Sequence, residues 1–191
     1  SPYLLAHGLG TPVADASTEV TFPKAGEYRL WVRTKNWVEK FAEEVDATAA
    51  PGRFQVKIGD SAVAHEFGKT GAAWHWEDGG TVTISDLKAK VSLVDLTGFN
   101  GRCDAILFSS DPAFVPDNSS DVLPAWRRTM LGIPEEATTE GPFDIVFVGG
   151  GYSGACGAIS AARMGLKVAL IQNRPVLGGN GSSEVRVWAM G

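Results

Sequence analysis

The pattern of apolar and polar positions divides the chain into two regimes. Between residues 18 and 110, apolar residues recur at every second position in short runs. In EYRLWVRT (27–34), Tyr28, Leu30 and Val32 fall on one side and Arg29, Trp31 and Arg33 on the other. A period of two marks a strand with one face buried. FQVKI (54–58) repeats the pattern and runs into Gly59-Asp60, a turn pair. TVTI (81–84) follows Gly79-Gly80, which reads as another turn. VSLVDLTGF (91–99) and DAILFSS (104–110) flank Asn100-Gly101. Asn-Gly between two apolar runs predicts a hairpin, because both residues tolerate positive φ. Short strands at this spacing, with almost no helical periodicity, predict an antiparallel β-sandwich over residues 1–116.

Beyond Asp111 the pattern breaks. DPAFVPDNSSDVLP carries three prolines and several turn formers, and so leaves the sandwich. PAWRRTMLG (124–132) predicts a short helix, with Pro124 in its first turn and Gly132 just past its end. IPEEATTEGP (133–142) reads as extended, so residues 117–142 form a linker that contains one short helix. At residue 143 the period changes. DIVFV (144–148) is a continuous apolar run, expected of a strand buried on both faces of a parallel sheet. SGACGAISAARMG predicts a helix with Gly154, Ala158 and Ala162 on one side and Gly165 at its end. KVALI (167–171) is the second buried strand. Residues 143–191 therefore read as the first β-α-β of a Rossmann-type α/β domain, and the fold class as mixed.

The turn between that strand and helix fits G-x-G-x-x-G at Gly149, Gly151 and Gly154. Each glycine has a mechanical reason. The first permits the tight turn, the second lets a pyrophosphate approach the backbone, and the third lets helix and sheet pack closely. The helix N-terminus then offers free N–H groups and the positive end of its dipole. The strand before and the helix after supply the context that the motif needs. One expected part differs. The end of the second strand usually carries a carboxylate that grips ribose hydroxyls. Here it is Gln172, whose uncharged carbonyl accepts a weaker hydrogen bond. A second motif follows in NRPVLGGNGSSE (173–184). Gly178-Gly179 can form an anion-binding nest, Ser182 and Ser183 add hydroxyls, and Arg174 adds a cation. A plain surface loop is the alternative.

Composition limits the partners. Hydrophobic residues make up 44% of the 191, enough for a buried core. Net charge is -5 and no basic block occurs, which argues against nucleic acid. The longest apolar runs, 145–148 and 168–171, are strand-sized, so no membrane span is expected. Cys103 and Cys156 read as small buried residues rather than a disulfide framework.

At the glycine motifs the chain resembles FAD-dependent oxidoreductases, specifically a bacterial group whose flavin domain follows a β-sandwich. VGGGYSGACGAISAARMGLKVALIQNRPVLGGNGSSEVRVW carries the likeness. GEYRLWVRTKNWV, APGRF, GAAWHWEDGG and DLTGFNGRCDAILFSSDPAF extend it over nearly the whole chain. The resemblance implies FAD rather than NAD, because the second glycine pair helps hold the flavin cofactor. It assigns the pyrophosphate to Gly149, Gly151 and Gly154 and the adenosine ribose to Gln172. Gly178, Gly179 and Asn180 complete the cradle, beside Arg174. It also implies several hundred further residues, so these 191 alone are expected not to turn over. Ser1 is not an initiator methionine and no signal peptide is visible. Localisation therefore stays open between the bacterial periplasm or exterior and the cytoplasm. Some relatives carry a xanthan lyase label, which keeps a polysaccharide connection in view.

The resemblance implies a jelly-roll or galactose-binding-like sandwich, a kind of fold that often binds sugars. Trp74 and Trp76 alternate with His75, and Trp37 follows the first clear strand; these three are the candidate carbohydrate platform. The alternative is that they fill the core. His75, Glu77 and Asp78 lack partners that the sequence identifies, so a solvated turn is expected rather than a metal site. Arg102 and Asp104 are expected to pair with each other, and Asp15 and Glu19 have no legible partner. The reading is the N-terminal part of an FAD-dependent oxidoreductase acting on a carbohydrate-related substrate. A carbohydrate-binding accessory module and a purely structural sandwich are the alternatives. A lyase ranks below both, since no general base stands beside groups to neutralise a uronate.

Overall fold

The computed structural model describes residues 3–41, 50–182 and 187. They fall into two compact units, Tyr3–Gly132 and Ile133–Gly191. The first unit contains β1 (Leu4–His7), β2 (Ala16–Thr21), β3 (Gly26–Thr34), β4 (Phe54–Ile58), β5 (Ser61–Ala62), β6 (His75–Ile84), β7 (Lys88–Asp95) and β8 (Phe99–Ser109). It ends with α1 (Leu123–Met130). One sheet has the order β1-β8-β3-β6 and the other β2-β7-β4-β5. Every pairing within them is antiparallel. The chain steps from one sheet to the other at almost every connection, as in a jelly roll.

The period-two pattern decides which faces meet. Tyr28, Leu30, Val32 and Thr34 are buried, while Arg29, Trp31 and Arg33 between them point outward. Leu30 and Val32 pack with Phe54, Val56 and Val91 of the facing sheet, with Phe67 and Cys103 completing the cluster. A second cluster of Phe22, Tyr28 and Ile84 closes one end, with ring contacts from Phe22 to Tyr28 and Phe108.

The outer face of the first sheet is covered by the segment that runs into α1. Trp126 meets Trp76 edge to face at 6.1 Å and stacks on Phe114 at 6.2 Å. Trp76 Nε1 donates to the Asp117 carbonyl at 3.3 Å. Asp104, its side chain 2% exposed, accepts from both Arg33 and Arg127 at 2.6 Å. The stretch read from sequence as a linker, 117–142, thus divides. Residues up to Gly132 lie in the first unit, and those from Ile133 lie in the second. α1 ends as expected, with Gly132 at φ 62° just past its C-cap Leu131.

Three sequence expectations are corrected. Asn100-Gly101 is not a hairpin turn; both residues lie inside β8, and β7 and β8 belong to different sheets. The turn is three residues earlier. There, Asp95 Oδ1 accepts the N–H groups of Thr97 and Gly98, which sends the chain across the sandwich. Gly79-Gly80 is likewise no turn but a bulge within β6, where the register against β3 shifts between Leu30 and Trp31. A Cβ at Gly79 would meet Leu30 and Phe67 at 2.8 and 2.9 Å, so the core approaches the backbone closely there. Arg102 and Asp104 do not pair with each other. Asp104 turns to Arg33 and Arg127, whereas Arg102 lies over Tyr3 and Trp37. Asp15 and Glu19 have partners, Lys57 at 3.5 Å and Lys88 at 2.9 Å.

The second unit has β9 (Ile145–Val148) and β10 (Val168–Ile171), paired in parallel, with α2 (Tyr152–Arg163) between them. The small face of α2 differs by one step from the expected one. Ala158 and Ala161 are buried and Ala162 is exposed, because the inward stripe advances by three and four residues. β9 is not buried on both faces among the described residues: Val146 is 48% and Val148 83% exposed. No described helix is long and apolar enough to cross a membrane.

Both cysteines are free, but only Cys103 is buried; Cys156 on α2 is exposed, against expectation. Burial, with the Asp104 charge adding to it, pushes the Cys103 thiol from 9.0 up to about 12. A thiol raised in the folded state loses stability as pH climbs through the window from its unfolded value to its folded one. Iodoacetamide at about pH 8 should therefore label Cys156 alone, with Cys103 reacting only under denaturant, as read by peptide mass spectrometry. Asp104→Ala should leave two guanidinium groups without their buried acceptor. Urea unfolding should show the sandwich destabilised by about 3 kcal/mol.

Candidate functional site

The two glycine motifs converge on one structure. β9 delivers Gly149 at φ 104°, a conformation that side chains other than glycine rarely adopt, and the chain turns into α2 at N-cap Gly151. A Cβ on Gly154 would overlap the Gly149 carbonyl, so the third glycine is fixed by contact of the helix with its own entry turn. At Gly151 the opposite holds: among the described residues, its chain neighbours apart, no atom lies within 4 Å of where a Cβ would stand. The first helical bond at this end runs from Ala155 N–H to the Gly151 carbonyl at 2.9 Å. The N–H groups of the preceding turn thus have no intrahelical acceptor and face outward along the dipole.

The second loop packs directly against the first. Gly178 N–H donates to the Gly150 carbonyl at 2.8 Å, and Gly151 and Gly178 form a parallel bridge. Gly178 and Gly179 both have positive φ, 112° and 58°. The Cβ position of Gly179 lies 3.3 Å from the Gly151 Cα. Gly179, Asn180 and Gly181 form a short 3-10 turn. Asn180 is exposed, and its carbonyl accepts from Val187 N–H at 2.8 Å. Arg174 is exposed and Ser182 is buried. Ser183 lies outside the described residues.

Gln172 links the two loops. Its Oε1 accepts the Gly150 N–H at 2.9 Å and its Nε2 donates to the Val176 carbonyl at 3.3 Å. The amide thereby uses a donor and an acceptor at once, which a carboxylate in its place would lack. This bracing role was not legible from strand-end position alone. The paired requirement for donor and acceptor is the signal that would have pointed to it.

The proposed platform of the sandwich splits. Trp37 and Trp74 lie near one end of the first sheet, partly exposed. Trp37 stacks on Phe99 with ring centroids 5.9 Å apart, and Trp74 meets Tyr3 at 5.0 Å. Trp76 is part of the packing under Trp126. His75 and Glu77 are not an isolated solvated turn. Glu77 is buried and faces two imidazoles, His65 at 3.1 Å and His75 at 3.5 Å, with Thr70 also at 3.5 Å. Asp78 is drawn away to Arg29. Among the described residues no group of three His, Cys, Asp or Glu side chains is arranged to hold a metal.

Residues 144–191 match the model of a family described as FAD dependent oxidoreductase. No curated protein matches the chain. Among solved structures, a family 35 carbohydrate binding module from an environmental isolate is similar at 16% identity and a TM-score of 0.41. The alignment covers 59% of this chain and 79% of that one. A Podospora anserina GH26-CBM35 beta-(1,4)-mannanase aligns at 12% identity and a TM-score of 0.42. It covers 88% of this chain and 37% of the mannanase, so the chain spans well under half of that enzyme.

Gly154→Val should drive α2 away from the Gly149 turn. Hydrogen exchange should show lost protection across β9, α2 and β10, while strands β1–β8 keep theirs.

Proposed function

We propose that this chain is the N-terminal part of an FAD-dependent oxidoreductase acting on a carbohydrate-related substrate, and that residues 144–182 hold the ADP half of the cofactor. The observation that carries the reading is the open ground at Gly151. N–H groups of the first turn of α2, without an intrahelical acceptor, lie beside it, and the Gly178-Gly179 loop walls it on one side. A pyrophosphate needs those three conditions: close backbone approach, donors, and no competing side chain. The match of residues 144–191 to the flavoprotein family model supports the choice of FAD.

In this reading Gly149 shapes the turn, Gly154 lets α2 pack against it, Gly151 leaves the backbone open to the pyrophosphate, and the N–H groups of the first turn of α2 receive it. Gly178, Gly179 and Asn180 form the second wall, and Arg174 supplies positive charge. Gln172 acts from behind the loop: its amide sets the distance between the two glycine turns instead of gripping ribose hydroxyls. Bound FAD would supply the two-electron chemistry. The chain's own contribution is to bind and orient the adenosine end. The first unit would contribute the carbohydrate-facing surface, through the partly exposed aromatic cluster of Tyr3, Trp37, Trp74 and Phe99.

ADP titrated into the 191-residue protein should shift the amide resonances of Gly151–Gly154 and Gly178–Gly179. Gly151 has φ -64°, which any residue adopts, and free space at its Cβ. Gly151→Val should therefore abolish those shifts and leave the thermal unfolding of both units unchanged. Wild-type protein that shows no amide shifts at millimolar ADP would sink the reading.

A further inference from the structure

One end of the first sheet gathers positive charge that no described carboxylate pairs with. The net charge of the chain is -5, yet Lys35 lies close enough to both Lys40 and Arg102 to be repelled by each. Among the described residues none of the three is in an ion pair. The Nε of Arg102 is buried with no hydrogen-bond partner. Arg33 beside them differs, being committed to Asp104 and Asn118. Burial first, then the charges of Arg102 and Lys40, hold the Lys35 ammonium below its ordinary range.

The aromatic rings there serve the cations. Arg102 lies 5.5 Å over the Trp37 ring and 5.9 Å over Tyr3. Lys35 lies 5.5 Å and Arg33 5.7 Å over Trp74. Phe99 and Tyr3 press on the two indoles as well. Much of each indole is therefore already covered, and the groups left to offer are the charged heads that the rings hold in place. The frame is rigid. Buried Asn36 donates its backbone N–H to the carbonyls of Thr70 and Gly71 and its Nδ2 to the Lys69 carbonyl, and its Oδ1 accepts the N–H of Val38. Thr34 Oγ1 donates to the Arg102 carbonyl at 2.6 Å. Cations fixed in advance by packing lose little entropy on binding an anion.

We propose that this end of the sandwich binds an acidic carbohydrate, with Lys35 and Arg102 taking the sugar carboxylate and the edges of Trp37 and Trp74 contacting its ring. The inference rests on the carbohydrate reading of the first unit and names the ligand class. A guanidinium and an ammonium together match the bidentate and point-charge demands of a carboxylate. A neutral glycan would leave both charges uncompensated.

Affinity electrophoresis of the 191-residue protein tests this with polygalacturonate, its methyl ester, a neutral mannan and poly-glutamate. Polygalacturonate should retard the protein, and the methyl ester should not. Lys35→Gln and Arg102→Gln should each weaken polygalacturonate binding by roughly tenfold or more, the worth of one charged hydrogen bond. Lys24→Gln, the same charge change elsewhere on the sandwich, should leave it intact. Lys35→Gln removes only a partly exposed ammonium, so it keeps the test decisive if Arg102→Gln fails to fold. Equal weakening by Lys24→Gln, or equal retardation by poly-glutamate, overturns the inference in favour of diffuse charge attraction. Retardation by mannan alone overturns it too, but leaves the carbohydrate reading standing. No retardation by any glycan removes both.

Discussion

Leu30 and Val32 retain no accessible surface, and they lose it against Phe54, Val56 and Val91 of the facing sheet and Phe67 beside them. Burying a side chain of this size is worth about 1.5–3 kcal/mol. The contact also fixes orientation: with even-numbered residues of β3 inward, the odd-numbered ones must face out. Arg29, Trp31 and Arg33 are thereby committed to the outer face of the first sheet, where Asp78, Asp104 and the α1 segment cover them. A one-residue slip would bury the arginines and expose the core. Everything described at the outer surface follows from that register.

The second unit depends on a different constraint, the absence of side chains. Gly154 touches the backbone of its own entry turn, Gly178 bonds to Gly150, and Gly179 approaches Gly151. Around these three close backbone approaches, the space above Gly151 stays open among the described residues. Gln172 spans the base of the two turns and accepts from one while donating to the other. The two glycine motifs, separate in sequence, are therefore one mechanical object.

Much of this was legible in the chain itself. The alternation in 27–34 and 54–58, the helix ending at Gly132, and the β-α-β of 144–171 all come from local periodicity and local turn chemistry, and they lie where the pattern placed them. What escaped was non-local. Asn100-Gly101 has the composition of a hairpin turn, but the strands on either side belong to different sheets, and Asp95 makes the turn instead. Gly79-Gly80 resembles a break because a bulge and a turn share the same residue type. The partners of Asp104, Arg102 and Glu77 come from strands and loops tens of residues away, and pairwise charge contacts of that range leave no periodic trace. Trp74 and Trp76 were indistinguishable by alternation; the helix that covers one of them is distant in sequence.

The chain passes from sheet to sheet at nearly every connection, so the loops meeting at one end come from distant parts of the sequence. Tyr3, Lys35, Trp74 and Arg102 become neighbours only once the strands between them have docked. The cluster is thus a conformational epitope with no linear counterpart. Any ligand or antibody that requires all four side chains at once would bind the folded state alone, and by mass action would raise the stability of the entire sandwich.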